Sequence, residues 1–273
     1  MNKKDIKLVF FDNVQSYLKS NPPQSPHDLR YIQSNIDNTH SSILSTLTST
    51  QDILLLEYVR ILFSLEYRHQ YLSYNYMDFS RRIGELWQSF ITIPFIYYSP
   101  NELIIPPDFN TVLQQIQSQF DSINTQPQLK PLFNTILSFL NKDSINLSLD
   151  LHYKIQNTTY NVDFKNSFNS NEKGNTQRLI QVGSIYSYLS TPTNPIKCVA
   201  LVRSSANNNY LNKLSNSGYW LVYTGSQTYD YIKVHTQFDI KDFITNNIDW
   251  KQDLSKDFYN HLYNQNLLKY LDW

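Results

Sequence analysis

Two short runs of alternating apolar and polar residues constrain the fold of this chain more than any other feature. Residues 147–152 alternate leucine with Ser, Asp and His, and residues 160–165 alternate Tyr, Val and Phe with Asn, Asp and Lys. A period of two is typical of β-strands that have one buried face and one open face. Because the intervening Gln156–Thr159 has the composition of a turn, the two strands are expected to pair as an antiparallel hairpin.

Three charged residues of this hairpin, Asp150, Asp163 and Lys165, are expected to lie together on its open face. Two carboxylates from adjacent strands, with the backbone carbonyl of Phe164, form a set of hard oxygen ligands that suits Mg²⁺, with Mn²⁺ as a substitute. Lys165 lies two residues after Asp163, so it would place a positive charge beside an attacking water. The pattern predicts a metal site suited to phosphodiester hydrolysis.

The order of these residues resembles the core of the PD-(D/E)XK nuclease superfamily, and within it the type II restriction endonucleases. The resemblance consists of Asp150, twelve intervening residues and Asp163-Phe164-Lys165, followed by helix, strand, helix and strand, over roughly residues 144–232. One position departs from the pattern, since Leu149 and not proline precedes the first acid. Asp143 is the alternative first acid.

The resemblance implies a Mg²⁺-dependent endonuclease that cuts double-stranded DNA at a short specific sequence. It implies that Asp150 and Asp163 hold the metal and that Lys165 orients or activates water. It also implies that an upstream helix contributes a glutamate, for which Glu85 is the candidate. An ordinary ion pair between Glu85 and the arginines beside it is an equally good interpretation.

Residues that could contact DNA lie on the same upstream helix and just after the hairpin. Backbone N–H groups at a helix N-terminus can bind phosphate, while Asn, Gln and Arg side chains can read base edges. An ordinary polar loop followed by a capped helix would have the same composition. The candidates are Arg81, Arg82, Glu172, Lys173, Asn175, Gln177, Arg178 and Arg203.

Charge is unevenly distributed along the chain. The formal net charge is zero, which argues against a non-specific nucleic-acid binder. Residues 154–213, however, carry seven Lys or Arg against two acidic residues, so positive charge is concentrated around the predicted site. An ordinary solvated surface would account for an excess of this size equally well.

Several classes of protein are disfavoured by the sequence. It has no P-loop and no dinucleotide-binding glycine pattern, so no nucleotide cofactor is expected. The single cysteine, Cys198, excludes a disulfide within the chain and favours a reducing compartment. No apolar run is long enough to span a membrane, so we expect a cytoplasmic protein without a membrane partner.

The predicted fold class is α/β (α+β), with a PD-(D/E)XK-like mixed β-sheet core flanked by helices and a largely helical N-terminal half. Residues 1–142 are expected to be helical and packed on the core, 143–245 to form the core sheet with its helices, and 246–273 to form a helical tail, all in one compact domain. Helices are predicted at 51–70, from near Asp78 to Pro94, and at 110–120, 129–140, 176–189 and 209–214, with further strands at 196–202 and 219–223.

Double-stranded DNA is the expected partner. A palindromic recognition site would favour a homodimer, because the two-fold symmetry of the protein then matches that of the DNA. Two alternatives remain. The first is a structure-selective or repair nuclease of the same fold, and the second is a non-enzymatic binding protein whose hairpin acids are solvated surface residues.

Overall fold

The computed structural model describes residues 2–22, 25, 28–98, 100–122, 146–167, 173–206 and 208–273. The chain divides into two compact units. The helical unit consists of Met1–Tyr98 and Tyr229–Trp273, and the sheet unit consists of Ser99–Thr228.

The helices follow in chain order. They are α1 (Lys3–Ser20), α2 (Leu29–Leu44), α3 (Thr50–Tyr71), α4 (Tyr76–Tyr97), α5 (Phe109–Ser122), α6 (Lys173–Leu189), α7 (Asn209–Asn216), α8 (Ser226–Thr236), α9 (Ile240–Asn247), α10 (Trp250–Asp253) and α11 (Lys256–Asn264), with a final 3₁₀ turn at Leu268–Leu271. None of the described helices is both long and apolar enough to cross a membrane.

A five-stranded sheet lies in the sheet unit. Its strands are β1 (Glu102–Leu103), β2 (Leu151–Ile155), β3 (Thr158–Lys165), β4 (Ile196–Val202) and β5 (Trp220–Thr224), and they are neighbours in that order. The first three strands are antiparallel, whereas β4 and β5 run parallel to β3. The predicted mixed α/β class is therefore confirmed.

The first hairpin strand lies later than predicted, since β2 begins at Leu151 and residues 147–150 precede it, whereas the elements after the hairpin match the sequence prediction closely. Strand β4 has the predicted bounds, and helix, strand, helix and strand follow the hairpin in the predicted order. The hairpin turn is only two residues long, and its first residue, Gln156, has a φ of 53°. This left-handed conformation at a two-residue turn suits the twist of the strands that it joins.

The helical unit differs from the prediction at both ends of α4. The helix begins at Tyr76 because Asn75, not Asp78, is its N-cap, and the Asn75 side chain accepts the Asp78 N–H at 2.9 Å. Pro94 does not end the helix, which continues to Tyr97, with the Pro94 carbonyl accepting the Tyr98 N–H at 3.1 Å. Proline removes one hydrogen bond there, but the last turn is otherwise complete.

Two further differences concern whole elements. Helix α2 and the short strand β1 had no counterpart in the prediction. The predicted helix at 129–140 lies outside the described residues.

A buried charged cluster lies where α3 meets its neighbours. Arg60 donates two hydrogen bonds of 2.7 and 2.6 Å to the Glu57 carboxylate, Ser89 donates another of 2.8 Å, and His40 Nε2 lies 3.2 Å from it. Burial alone would raise the pKa of Glu57, but the hydrogen bonds and charges of Arg60 and His40 outweigh burial and lower this pKa from 4.5 to about 2. Glu57 is therefore a paired anion in the core.

The core of the sheet unit lies between the sheet and helices α6 and α7. Gly183 on α6 brings the helix close to β5, where Trp220 Nε1 donates a 2.8 Å hydrogen bond to the Leu179 carbonyl. A Cβ at Gly183 would lie 2.9 Å from both Trp220 Cδ1 and Tyr219 Cβ. The buried side chains of this core include Leu147, Leu149, Leu179, Val182, Tyr186, Cys198, Ala200, Val202, Leu211 and Leu214.

We expect Gly183→Ala to destabilise the fold by about 1–3 kcal/mol, because the new methyl group overpacks the contact between α6 and β5. Urea denaturation followed by circular dichroism measures this difference. Gly174→Ala, on the same helix, is the matched control, since its Cβ would meet no atom within 4 Å. Equal stability of the two variants would show that α6 can move away from β5 without loss of stability.

Candidate active site at the β2–β3 hairpin

Asp163 lies in the middle of the sheet unit and not on an open face. It is only 1% exposed, and Asn161 and His152 on the same face are also buried. The expectation of an open polar face is therefore wrong. In the parallel register, Asp163 lies beside Ala200 of β4, whose side chain belongs to the core that α6 covers.

Two basic side chains approach the buried Asp163 carboxylate. Lys165 Nζ lies 2.8 Å from Asp163 Oδ2, and Arg178 Nη2 of α6 lies 3.7 Å from Oδ1. Burial nevertheless raises the pKa of Asp163, and the nearby charge of Asp150 adds to this, so together they outweigh the two cations. The site therefore holds a carboxylate whose charge is incompletely compensated.

Asp150 is the exposed partner of Asp163. It directly precedes β2, and the pairing of Leu151 with Val162 sets it opposite Asp163 across the hairpin. Its Oδ2 accepts the Phe164 N–H at 2.7 Å. The N–H and C=O of one strand residue point to the same side of the strand. The Phe164 carbonyl is therefore directed to the side of β3 on which Asp150 lies.

His152 has a structural role beside the acids. The Leu149 N–H donates to His152 Nε2 at 2.8 Å, so Nδ1 carries the proton and donates to Asn161 Oδ1 at 2.7 Å. Burial lowers the pKa of His152, against the opposing effects of Asn161 and Asp150. This neutral imidazole joins the segment before β2 to strand β3.

The other predicted residues are divided between the two units. In the sheet unit, Lys173, Asn175 and Gln177 lie in the first turns of α6, next to Arg178, and the backbone N–H of Arg203 donates to the Lys165 carbonyl at 2.9 Å. Glu172 and Asp143 lie outside the described residues.

The three predicted residues of α4 belong to the helical unit. Glu85 accepts a hydrogen bond of 3.3 Å from Arg82, and Arg81 lies 4.0 Å from Asp78. The ordinary ion-pair interpretation of Glu85 thus describes its observed contact.

The oxygen atoms near Asp163 fit a hard divalent cation. Among the described residues, no three His, Cys, Asp or Glu side chains form a metal-binding group. Mg²⁺, however, commonly takes one or two carboxylates and keeps several waters. Asp150, Asp163 and the Phe164 carbonyl match this ligand type, and a cation would stabilise the charged form of Asp163, which burial and the nearby charge of Asp150 disfavour.

Sequence reasoning missed the approach of Arg178 to Asp163 and the hydrogen bonds of His152. Arg178 is fifteen positions after Asp163 and comes near it only because α6 packs against the sheet. No local pattern contains that information. For His152, the alternation of the strand indicated its face but not its partners.

Asp163→Asn is expected to stabilise the protein at neutral pH, by about 1–2 kcal/mol, in metal-free buffer. An acid whose pKa is raised by folding loses stability as pH rises above its unfolded pKa, and the amide removes that loss. Thermal unfolding in EDTA measures the effect, and exposed Asp257→Asn is the control. A destabilisation of about 3–5 kcal/mol would instead show that the ion pair with Lys165 holds the fold together.

No protein-family profile, curated protein or solved structure was found to match this chain.

Proposed function

We propose that this chain is a Mg²⁺-dependent endonuclease that hydrolyses double-stranded DNA at a specific sequence, in the manner of type II restriction endonucleases. The observation that carries the proposal is the placement of Asp150 and Lys165 beside Asp163, with Asp150 opposite it across the hairpin and a 2.8 Å contact between Lys165 Nζ and Asp163 Oδ2. A buried carboxylate with a raised pKa, next to a second carboxylate and a lysine, is typical of a catalytic site.

Each residue has a distinct task in this proposal. Asp150, Asp163 and the Phe164 carbonyl would hold the metal, which supplies Lewis-acid stabilisation of the phosphoryl oxygens. Lys165 holds a positive charge beside the carboxylates, where it can orient a water and stabilise negative charge that develops on phosphate. Asp150 is kept in place by the Phe164 N–H, and Asp163 by its burial in β3.

DNA contacts are proposed for the N-terminal part of α6 and its surroundings. Lys173 and Gln177 are exposed there, and Arg178 lies between this surface and Asp163. The free N–H groups of a helix N-terminus attract phosphate, which would bring the DNA backbone to the carboxylates. A homodimer would present two such sites to a palindromic sequence.

Digestion of a long, sequenced DNA with the purified protein and Mg²⁺ tests the proposal. Discrete fragments with wild type, and none with Asp163→Asn, are expected. A smear of products, or cleavage confined to junctions, flaps or ends, would favour a structure-selective or repair nuclease of the same fold. An absence of cleavage with Mg²⁺ and Mn²⁺ across duplex and branched substrates would contradict nuclease activity.

A second candidate is a non-enzymatic binding protein. The observation that favours it is the placement of buried Asp163 between Lys165 and Arg178, which is also the geometry of a structural ion pair. The stability of Asp163→Asn separates the two candidates. The protein would be destabilised by loss of the Asp163 charge only if Asp163 were part of a structural ion pair.

A further inference from the structure

A cavity of about 300 Å³ lies between α2, α3 and α4 of the helical unit, and none of its lining residues belongs to the hairpin site. Its volume is at the lower end of the range of roughly 300–1,000 Å³ that is usual for small-molecule sites. Four arginines line it, namely Arg30, Arg68, Arg81 and Arg82. We refer to it as the arginine cavity.

The charges of the arginine cavity do not balance. Its lining residues include four arginines and two acids, Asp78 and Glu85, an excess of two positive charges. The ion pairs between them are long, at 3.9 Å for Arg68 with Asp78 and 4.0 Å for Arg81 with Asp78, and only Arg82 comes as close as 3.3 Å to Glu85. A ligand with two negative charges would neutralise the cavity.

A buried hydroxyl in the cavity wall also lacks a partner. Ser64 on α3 is only 3% exposed and lines the cavity, and its Oγ makes no hydrogen bond within the described part of the chain. Two other buried helical hydroxyls, those of Thr39 and Thr236, bond to the carbonyl four residues earlier, at 2.9 and 2.7 Å. A buried polar group without a partner is unfavourable, so the Ser64 hydroxyl is available to a ligand.

Arg68 provides an oriented donor beside this hydroxyl. Its guanidinium carbon lies 5.1 Å from the centre of the Tyr74 ring, a cation–π contact that restrains the side chain. Its Nε is buried and makes no hydrogen bond to any described residue. An arginine fixed in this way can donate to a phosphate oxygen without losing further side-chain freedom.

We propose that the arginine cavity binds a phosphomonoester dianion, carried by a nucleoside monophosphate or by the 5′-phosphorylated end of a nucleic acid. The dianion matches the two uncompensated charges, and its three terminal oxygens accept hydrogen bonds from arginine and from the Ser64 hydroxyl. This function goes beyond the proposed nuclease and involves none of the hairpin residues. It therefore stands or fails independently of DNA cleavage.

Calorimetry with the full chain at pH 7.5 tests the proposal, with adenosine 5′-monophosphate, adenosine 3′,5′-cyclic monophosphate and adenosine as probes. The 5′-monophosphate should bind at least about tenfold more tightly than the cyclic diester, which carries one negative charge, and adenosine should not bind. Equal affinity for all three, or no binding of the 5′-monophosphate or of a 5′-phosphorylated oligonucleotide, would overturn the proposal.

Fluorescence anisotropy with a 3′-labelled oligonucleotide identifies the source of the phosphate. Tighter binding of the 5′-phosphorylated form than of the 5′-hydroxyl form would assign the cavity to chain ends, and binding of the mononucleotide alone would assign it to small nucleotides.

Variants show whether the binding takes place in the arginine cavity. Arg68→Gln and Ser64→Ala should each weaken binding of the favoured probe, by about tenfold or more for Arg68→Gln, while exposed Lys256→Ala should not. Circular dichroism and thermal unfolding confirm that each variant is folded. Wild-type affinity in both folded cavity variants would place the phosphate elsewhere and overturn the proposal.

Discussion

DNA cleavage should fall by at least about 100- to 1,000-fold when Lys165 is replaced by methionine, because an oriented positive group that stabilises transition-state charge contributes on that scale. Lys165 Nζ lies 2.8 Å from the buried Asp163 carboxylate, so its position is set by the same residue that would hold the metal. Methionine keeps the apolar stem of lysine and removes only the charge. Single-turnover cleavage of a mapped site measures the loss.

Binding of the same DNA, measured in Ca²⁺ by gel shift or anisotropy, should change much less than cleavage. Exposed Lys251→Met is the matched control and should cleave at the wild-type rate. If Lys165→Met cleaved as fast as wild type, Lys165 would be only the counter-ion of Asp163. If binding and cleavage fell together, its role would be in DNA affinity and not in the chemical step.

Glu57→Gln should lower the free energy of unfolding at pH 7 by about 3 kcal/mol, because it leaves the largely buried Arg60 with only the half-exposed Asp37 carboxylate as a counter-ion. The lowering of the Glu57 pKa from 4.5 to about 2 corresponds to about 3 kcal/mol of the same stabilisation. An acid with a lowered pKa contributes fully above its unfolded pKa and loses that contribution as pH falls. The difference in unfolding free energy between wild type and variant should therefore shrink as the pH falls from 4.5 to 2.

Urea denaturation across this pH range measures both effects. Glu85→Gln is the matched control, since Glu85 pairs with Arg82 on the surface, and an exposed pair of this kind contributes at most about 1 kcal/mol. A loss in Glu57→Gln as small as in the control would show that the cluster around Glu57 is solvated in solution. A difference that did not depend on pH would show that its pKa is not lowered.

The sequence predicted the sheet unit best where the pattern was local. Period-two alternation located β3, and the apolar run 196–202 gave β4 with its observed bounds. The same alternation placed the first hairpin strand at 147–152, whereas β2 spans Leu151–Ile155. It could not show that α6 covers the polar face, because alternation records the two faces of a strand and not what packs on each. Burial of Asp163 is a tertiary property.

The elements that were missed carry weak local signals. Helix α2 buries only Ile32, Ile36 and Thr39, and Asn, Ser and Thr in its sequence favour turns as much as helix. Strand β1 is two residues long, which is too short for a period to be recognised.

The candidate site was predicted in part, because some of its geometry follows from local sequence patterns. The i,i+2 spacing of Asp163 and Lys165 placed them on one strand face, and the antiparallel pairing brought Asp150 opposite Asp163. The arginine cavity, by contrast, is assembled from three helices, one of which had not been predicted.

Isothermal calorimetry with Mg²⁺ and Mn²⁺ tests most directly whether Asp150 and Asp163 form a working metal site. We expect one ion to bind per chain, with binding lost in both Asp150→Asn and Asp163→Asn and unchanged in Asp257→Asn. If neither Mg²⁺ nor Mn²⁺ bound to the wild-type protein, or if binding were undiminished in both hairpin variants, the assignment of these carboxylates as metal ligands would be contradicted.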